Sequence, residues 1–231
     1  MRRPQFVNNE FYHIVNRGVE QRNIFLDEED RLRFVNSLLV FNDRKPAFWS
    51  LRGFWNTRNP NSLLREYKPK ESLVEIHTFT LMNNHFHLLL RQLTNSGISD
   101  FMRKIGGYAY YFNKKYQRIG SLFQGRFKAL LIKDENQLKN TFVYIHTNPV
   151  EIIENNWKKF EVKDPESAIK FIEAYRWSSY PDYLTAGNFS NLLIKNFFLK
   201  LFDGKENCKQ EIDAWIKFKV DRDKFNDIIL E

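Results

Sequence analysis

Over residues 10–17 the chain alternates in period two, with Phe11, His13, Val15 and Arg17 on one face and Tyr12, Ile14 and Asn16 on the other. That alternation predicts a β-strand. After Gly18 the pattern lapses into polar residues, and Asp27 then stands where a helix N-cap belongs. Glu28, Glu29 and Asp30 follow in the positive first turn, and Leu32, Val35, Leu38 and Leu39 form an inward stripe of a helix running to about residue 42. Residues 43–72 carry Pro46, Pro60 and Pro69 with Trp49 and Trp55, and read as a long loop insertion with a short helix near 62–67. Residues 72–91 read as one long strand, or two joined by a turn at Asn83-Asn84. Within them Met82, Asn84, Phe86, Leu88 and Leu90 share one face, and His85, His87 and Leu89 share the other.

A helix is predicted over 98–117, weakened at Gly106-Gly107, with Ile105, Tyr108, Ala109 and Phe112 buried. Residues 126–133 then read as a strand. Asp134 caps a helix over 135–147 that stops before Pro149, since the residue preceding a proline is pushed out of the α region. Leu138, Phe142 and Ile145 are its apolar face, while Asn140, Tyr144 and Asn148 stack at intervals of four on another. Further helices are expected at about 165–174, 189–202 and 208–220. The order of elements predicts an α+β sandwich with a mostly antiparallel sheet.

Composition narrows the class. The 231 residues include 42% apolar and 16% aromatic residues, ample for a packed core. No run approaches the 18 apolar residues of a transmembrane helix, so no membrane partner is expected. The N-terminus lacks the apolar core of a signal peptide, and a cytoplasmic location is the default expectation. Cys208 is the only cysteine, which excludes an internal disulfide and a cysteine-based zinc site. The net charge of +8 is concentrated. Residues 101–133 contain Arg103, Lys104, Lys114, Lys115, Arg118, Arg126, Lys128 and Lys133 and no acidic residue. Interleaved with Tyr108, Tyr110, Tyr111, Phe112, Tyr116, Phe123 and Phe127, such a segment suits nucleic acid: cations neutralise phosphates and aromatic faces stack on bases. The plainer alternative is a basic helix whose aromatics are core.

His85 and His87 project side by side from one predicted strand, a pair that can grip a divalent ion. Taken alone, they read equally well as hydrogen-bonded histidines in a half-buried strand. Tyr144 and Asn148, one turn apart on a helix after a basic strand, are the other chemistry-bearing pair; alone, Tyr144 reads as a packing residue.

His85-Phe86-His87 within Met82–Leu90 resembles the HUH motif of single-strand transposases. The resemblance continues through Asn16-Arg17-Gly18, Gly120-Ser121-Leu122-Phe123-Gln124-Gly125-Arg126-Phe127, Tyr144-Ile145-His146-Thr147-Asn148-Pro149 and Trp177-Ser178-Ser179-Tyr180. In that order the set is similar to the REP-associated tyrosine transposases and covers residues 8–184. Asn83 departs from it, since relatives commonly have proline before Asn-His, which alters the turn and not the chemistry. The resemblance implies a ferredoxin-like sandwich over residues 1–184, with helices on one face of the sheet and a helical extension over 185–231. It implies Tyr144 as nucleophile, and His85, His87 and Asn148 as ligands of Mg²⁺ or Mn²⁺. It also implies single-stranded DNA with a hairpin as partner, contacted through Arg103, Lys104, Lys114, Lys115, Arg118, Arg126 and Lys128. A homodimer stays open. So do two rival functions, a catalytically silent hairpin-binding protein and a hydrolytic metal-dependent nuclease.

Overall fold

The computed structural model describes residues 4–45, 68–154, 157, 162–185 and 187–217. The short helix expected near 62–67 lies outside these residues, as do most of the loop insertion and the charged tail. Four strands, β1 (Phe11–Arg17), β2 (Val74–Leu81), β3 (His85–Gln92) and β4 (Lys128–Leu131), form an antiparallel sheet in the order β2-β3-β1-β4. Asn83-Asn84 is the turn of a β2–β3 hairpin, so the doubtful stretch is two strands. β1 lies between β3 and β4, with Val15 opposite both His87 and Lys128, and Arg17 opposite His85.

Helices cover both faces of this sheet, where the resemblance implied one. On one face α1 (Glu28–Val40), α2 (Gly97–Ile105) and α3 (Tyr108–Lys115) bury Tyr12, Ile14, Phe86, Leu88 and Leu90, with the Phe34 and Phe86 ring centroids 4.7 Å apart. On the other, α4 (Glu135–Thr147) packs Leu138, Phe142 and Ile145 in one cluster with Leu89. The physical reason is in β3, where both alternating sets are buried. A strand covered on both faces reads as a nearly continuous apolar run. The direction of the histidines is therefore fixed by the opposite set. A one-residue slip would carry Phe86, Leu88 and Leu90 to the wrong face, and each fully buried Leu or Phe is worth about 1.5–3 kcal/mol.

The expected helix at 98–117 is two, α2 and α3, broken at Gly106-Gly107. The C-terminal half adds α5 (Pro165–Ala174), α6 (Tyr180–Leu184), α7 (Lys195–Leu201) and α8 (Lys205–Lys217). The single helix expected at 189–202 is instead a 3-10 turn, Ser190–Leu192, followed by α7. Between them Ile194 donates its amide to the Ile76 carbonyl at 2.9 Å and accepts at its own carbonyl from His77 Nδ1 at 3.0 Å. Pairing with the sheet edge replaces the helical bonds that amphipathicity alone predicted. Phe198 and Phe202 of the C-terminal half join Phe142 of α4 in one core. No helix among the described residues is long and apolar enough to cross a membrane.

Candidate active site

The hairpin turn is tied down by the segment after β1, which begins the construction of the site. At Gly18 a β-carbon would lie 2.2 Å from the Arg22 carbonyl oxygen, so only glycine lets the 18–22 turn close. Gly18 donates its amide to the Asn84 carbonyl at 2.8 Å, and Ile24 donates to the Asn83 carbonyl at 2.8 Å. Arg31 donates to Asn83 Oδ1 at 2.8 Å, so the residue that departs from the family pattern anchors the turn to α1. Asn84 Nδ2 donates to the Gln21 carbonyl at 3.2 Å, which orients the amide so that Oδ1 faces His85 Nδ1 at 2.6 Å. A carboxamide oxygen only accepts. His85 is therefore protonated on Nδ1, and its lone pair is on Nε2.

His87 is the next imidazole on that face, its ring centroid 4.9 Å from that of His85. His13 Nε2 lies 2.9 Å from His87 Nδ1, with the rings stacked at 5.2 Å and 23°. All three histidines are buried. His13 is a site residue that sequence reasoning passed over. Its signal was the alternation of β1, but only the β3–β1 pairing brings it diagonally beside His87. His13 thus holds the His87 ring through Nδ1, the arrangement by which outer partners fix metal-bound imidazoles.

Tyr144 comes from α4, whose start is capped as expected: Asp134 Oδ1 accepts from Gln137 N at 2.8 Å. Its ring meets His87 edge-on at 5.6 Å and His13 at 5.9 Å. Thus His13, His85, His87 and Tyr144 come together within one chain. Asn148 lies one turn further at the C-cap of α4, also buried. Among the described residues no group of three or more His, Cys, Asp or Glu side chains could hold a metal.

The model of the family described as IS200-like transposase matches residues 6–148, which include the histidine pair, Tyr144 and Asn148. The chain belongs to that family. Among solved structures, one of a REP-associated tyrosine transposase bound to a REP hairpin is similar at 13% identity and a TM-score of 0.46, covering 79% of this chain and 83% of the other. No curated protein matches.

In this IS200-like transposase the Tyr144 helix is also held from β2, where Thr80 is opposite His87 in the register. Thr80 Oγ1 donates to the Ile145 carbonyl at 2.8 Å, and His146 pairs through Nε2 with Ser179 Oγ at 2.7 Å. Ser179 in turn accepts from the Phe79 amide at 2.9 Å. The Trp177-Ser178-Ser179-Tyr180 motif is therefore the strut between α4 and the edge of β2. Burial pushes His146 down to about 3, while an unfolded histidine titrates near 6.5. Between those values the unfolded chain binds a proton that the folded one does not. The strut's stabilisation is then complete above about pH 6.5 and declines as pH falls toward 3. Urea midpoints measured from pH 7 to pH 5 are expected to fall, and the fall to be smaller in His146→Gln; an equal fall in both would refute the assignment.

The basic segment divides. Lys114, Arg126 and Lys128 are exposed. Arg103 pairs with Asp100 at 3.1 Å, Lys104 donates to the Asp43 carbonyl, and Arg118 donates to Asn113 at 3.0 Å. Lys115 turns inward onto Asp27, Glu29 and Asp30 at 2.8–3.0 Å. Of the segment's seven aromatics named above, Tyr108, Phe112, Phe123 and Phe127 are buried, and Tyr110, at 74% exposure, is the one presented to solvent. Of the segment's cations, Lys128 is placed by register one strand from the histidines, since Val15 is opposite both Lys128 and His87.

Proposed function

We propose that this transposase nicks and rejoins single-stranded DNA beside a hairpin, through a 5′-phosphotyrosine formed on Tyr144. The observation that carries the reading is the 5.6 Å approach of Tyr144 to His87, across the interface of α4 and the sheet. His85 and His87 would hold a divalent ion through Nε2, with Asn148 as the third donor, and the tautomer that Asn84 imposes on His85 fits that role. A bound Mg²⁺ or Mn²⁺ would polarise the scissile phosphate and offset its developing charge. Tyr144 Oη forms a bond to phosphorus as the bond from phosphorus to the 3′-oxygen breaks. The phenolic proton leaves to solvent, and the departing oxygen gains one. No net bond energy is lost, so a 3′-hydroxyl can attack the phosphotyrosine in reverse and join a new strand.

The test is incubation of the protein with end-labelled, hairpin-bearing single-stranded DNA and Mn²⁺, followed by a denaturing gel. A protein-linked DNA band is the expected result. Free cleavage products without it would instead favour the hydrolytic nuclease, and binding without cleavage the silent module.

His13 acts in this reading through His87, as a positioning residue. His13→Ala is expected to weaken Mn²⁺ binding about 10–100-fold, as loss of an outer partner does elsewhere. Calorimetric titration of the DNA-free protein measures it. Unchanged affinity would remove His13 from the site.

A further inference from the structure

One cavity adjoins the histidine face and has no part in the chemistry just described. It opens between the end of β1 and the segment leading into β4, has a volume of about 300 Å³, and is lined by Asn16, Arg17, Gln124, Gly125, Arg126 and Lys128, among others. Register fixes its distance from the imidazoles: Arg17 is opposite His85, and Val15 lies between His87 and Lys128. Adjacent strands are about 4.8 Å apart, so the cavity begins one strand over from the histidine pair. Its lining carries three cations and no carboxylate. Its walls are well built. Gln124 donates its amide to the Arg17 carbonyl at 2.9 Å, Val19 donates to the Leu122 carbonyl at 3.0 Å, and Phe123 and Phe127 root the loop in the core.

The opposite edge of the sheet is closed. Leu81 donates to the Trp177 carbonyl, Ser179 to the Phe79 carbonyl and Ile194 to the Ile76 carbonyl, each at 2.9 Å, so the C-terminal half covers β2. A strand crossing the histidines therefore has its way out over β1 and β4.

We propose that this cavity is a nucleotide subsite, holding the phosphate and the unpaired base one step from the scissile phosphate. Arg17, Arg126 and Lys128 neutralise the phosphate, and the Gln124 carboxamide meets the base edge, as Gln does in other nucleic-acid sites. A cavity at the small end of the ligand-pocket range admits one splayed nucleotide and excludes duplex. The inference rests on the proposed DNA cleavage and adds the strand's path and a point of sequence selection.

The test uses the full chain with Tyr144→Phe, in EDTA, so that neither cleavage nor metal is needed. Fluorescein-labelled dT10, dC10 and dA10 are titrated by anisotropy across a range of NaCl. Arg126→Ala and Lys128→Ala, both at exposed positions, are each expected to flatten the plot of log affinity against log salt by about 0.7, the value for one single-strand phosphate contact. Arg126→Lys should restore the slope. Gln124→Ala is expected to change the ranking of the three oligonucleotides and leave the slope alone. Lys170→Ala, on α5 and outside the cavity's lining, should change neither. Binding with slopes unaltered by Arg126→Ala and Lys128→Ala would overturn the subsite while leaving the cleavage reading standing. No binding of any oligonucleotide would likewise overturn the subsite, while the gel assay on hairpin-bearing DNA decides the cleavage reading separately.

Discussion

Tyr144→Phe is expected to abolish the protein-linked DNA band and to lower strand cleavage by at least about 10³-fold, the scale on which losing a nucleophile acts. The fold should not change. Tyr144 is 7% exposed, and a phenylalanine keeps the ring that packs against His87 and His13, so only the hydroxyl oxygen is lost. The melting temperature should stay within a few degrees of the parent. The other described tyrosines are poor substitutes. Tyr108 donates its hydroxyl to the Ile24 carbonyl, Tyr175 to that of Leu81 and Tyr183 to that of His77, and burial raises all three above the ordinary phenol range. Tyr111 and Tyr116 donate theirs to Asp30. Tyr110 is open to solvent, on α3, which packs on the sheet face opposite to that of the histidines. A covalent band that survives Tyr144→Phe would move the nucleophile elsewhere, and Tyr110→Phe would be the next variant to examine.

Period and punctuation made much of this arrangement legible in advance. The two-residue period of β1 and β3 placed the histidines on a shared face, and Asp27 and Asp134 marked the starts of α1 and α4. What the pattern could not carry was pairing between distant segments. His13 looked like any strand histidine until β1 came to lie beside β3. Ile194 looked helical because its competing hydrogen bond is with Ile76, more than a hundred residues away. Helices on both faces were foreshadowed by the apolar run at Phe86–Leu90, yet a run buried twice and a run buried once differ only in what arrives to cover them. In the basic segment composition counts charge, while local partners decide where a charge points: Arg103 pairs with Asp100, Arg118 with Asn113, and Lys115 with α1 and its cap.

Lys115 is the clearest case, and its replacement should act on folding. Its ammonium meets Asp27 at 2.8 Å, Glu29 at 2.9 Å and Asp30 at 3.0 Å, and the Asp30 side chain has no exposure at all. Burial would lower Lys115, but the three carboxylates hold it well above the ordinary lysine range. For Asp27, burial acts upward, and the Lys115 ammonium with the Asp30 amide and Tyr116 hydroxyl outweighs it, leaving the carboxyl below its usual value. Lys115→Met leaves Asp30 buried without its cation. Breaking a buried pair costs about 3–5 kcal/mol, and because Asp27 and Glu29 stay wet and contribute little, about 2–4 kcal/mol is expected here. For a chain of this size that is a melting temperature lower by roughly 5–15 °C. A carboxyl depressed in the folded state lends stability above the unfolded carboxylate range, and that stability is lost as pH falls through the folded value. The parent should therefore lose its advantage over Lys115→Met on acidification below about pH 4. Single-strand DNA affinity of the variant, measured where it is folded, should keep the parent's salt slope. A variant as stable as the parent but with a flattened slope would return Lys115 to the DNA surface and sink the inward assignment.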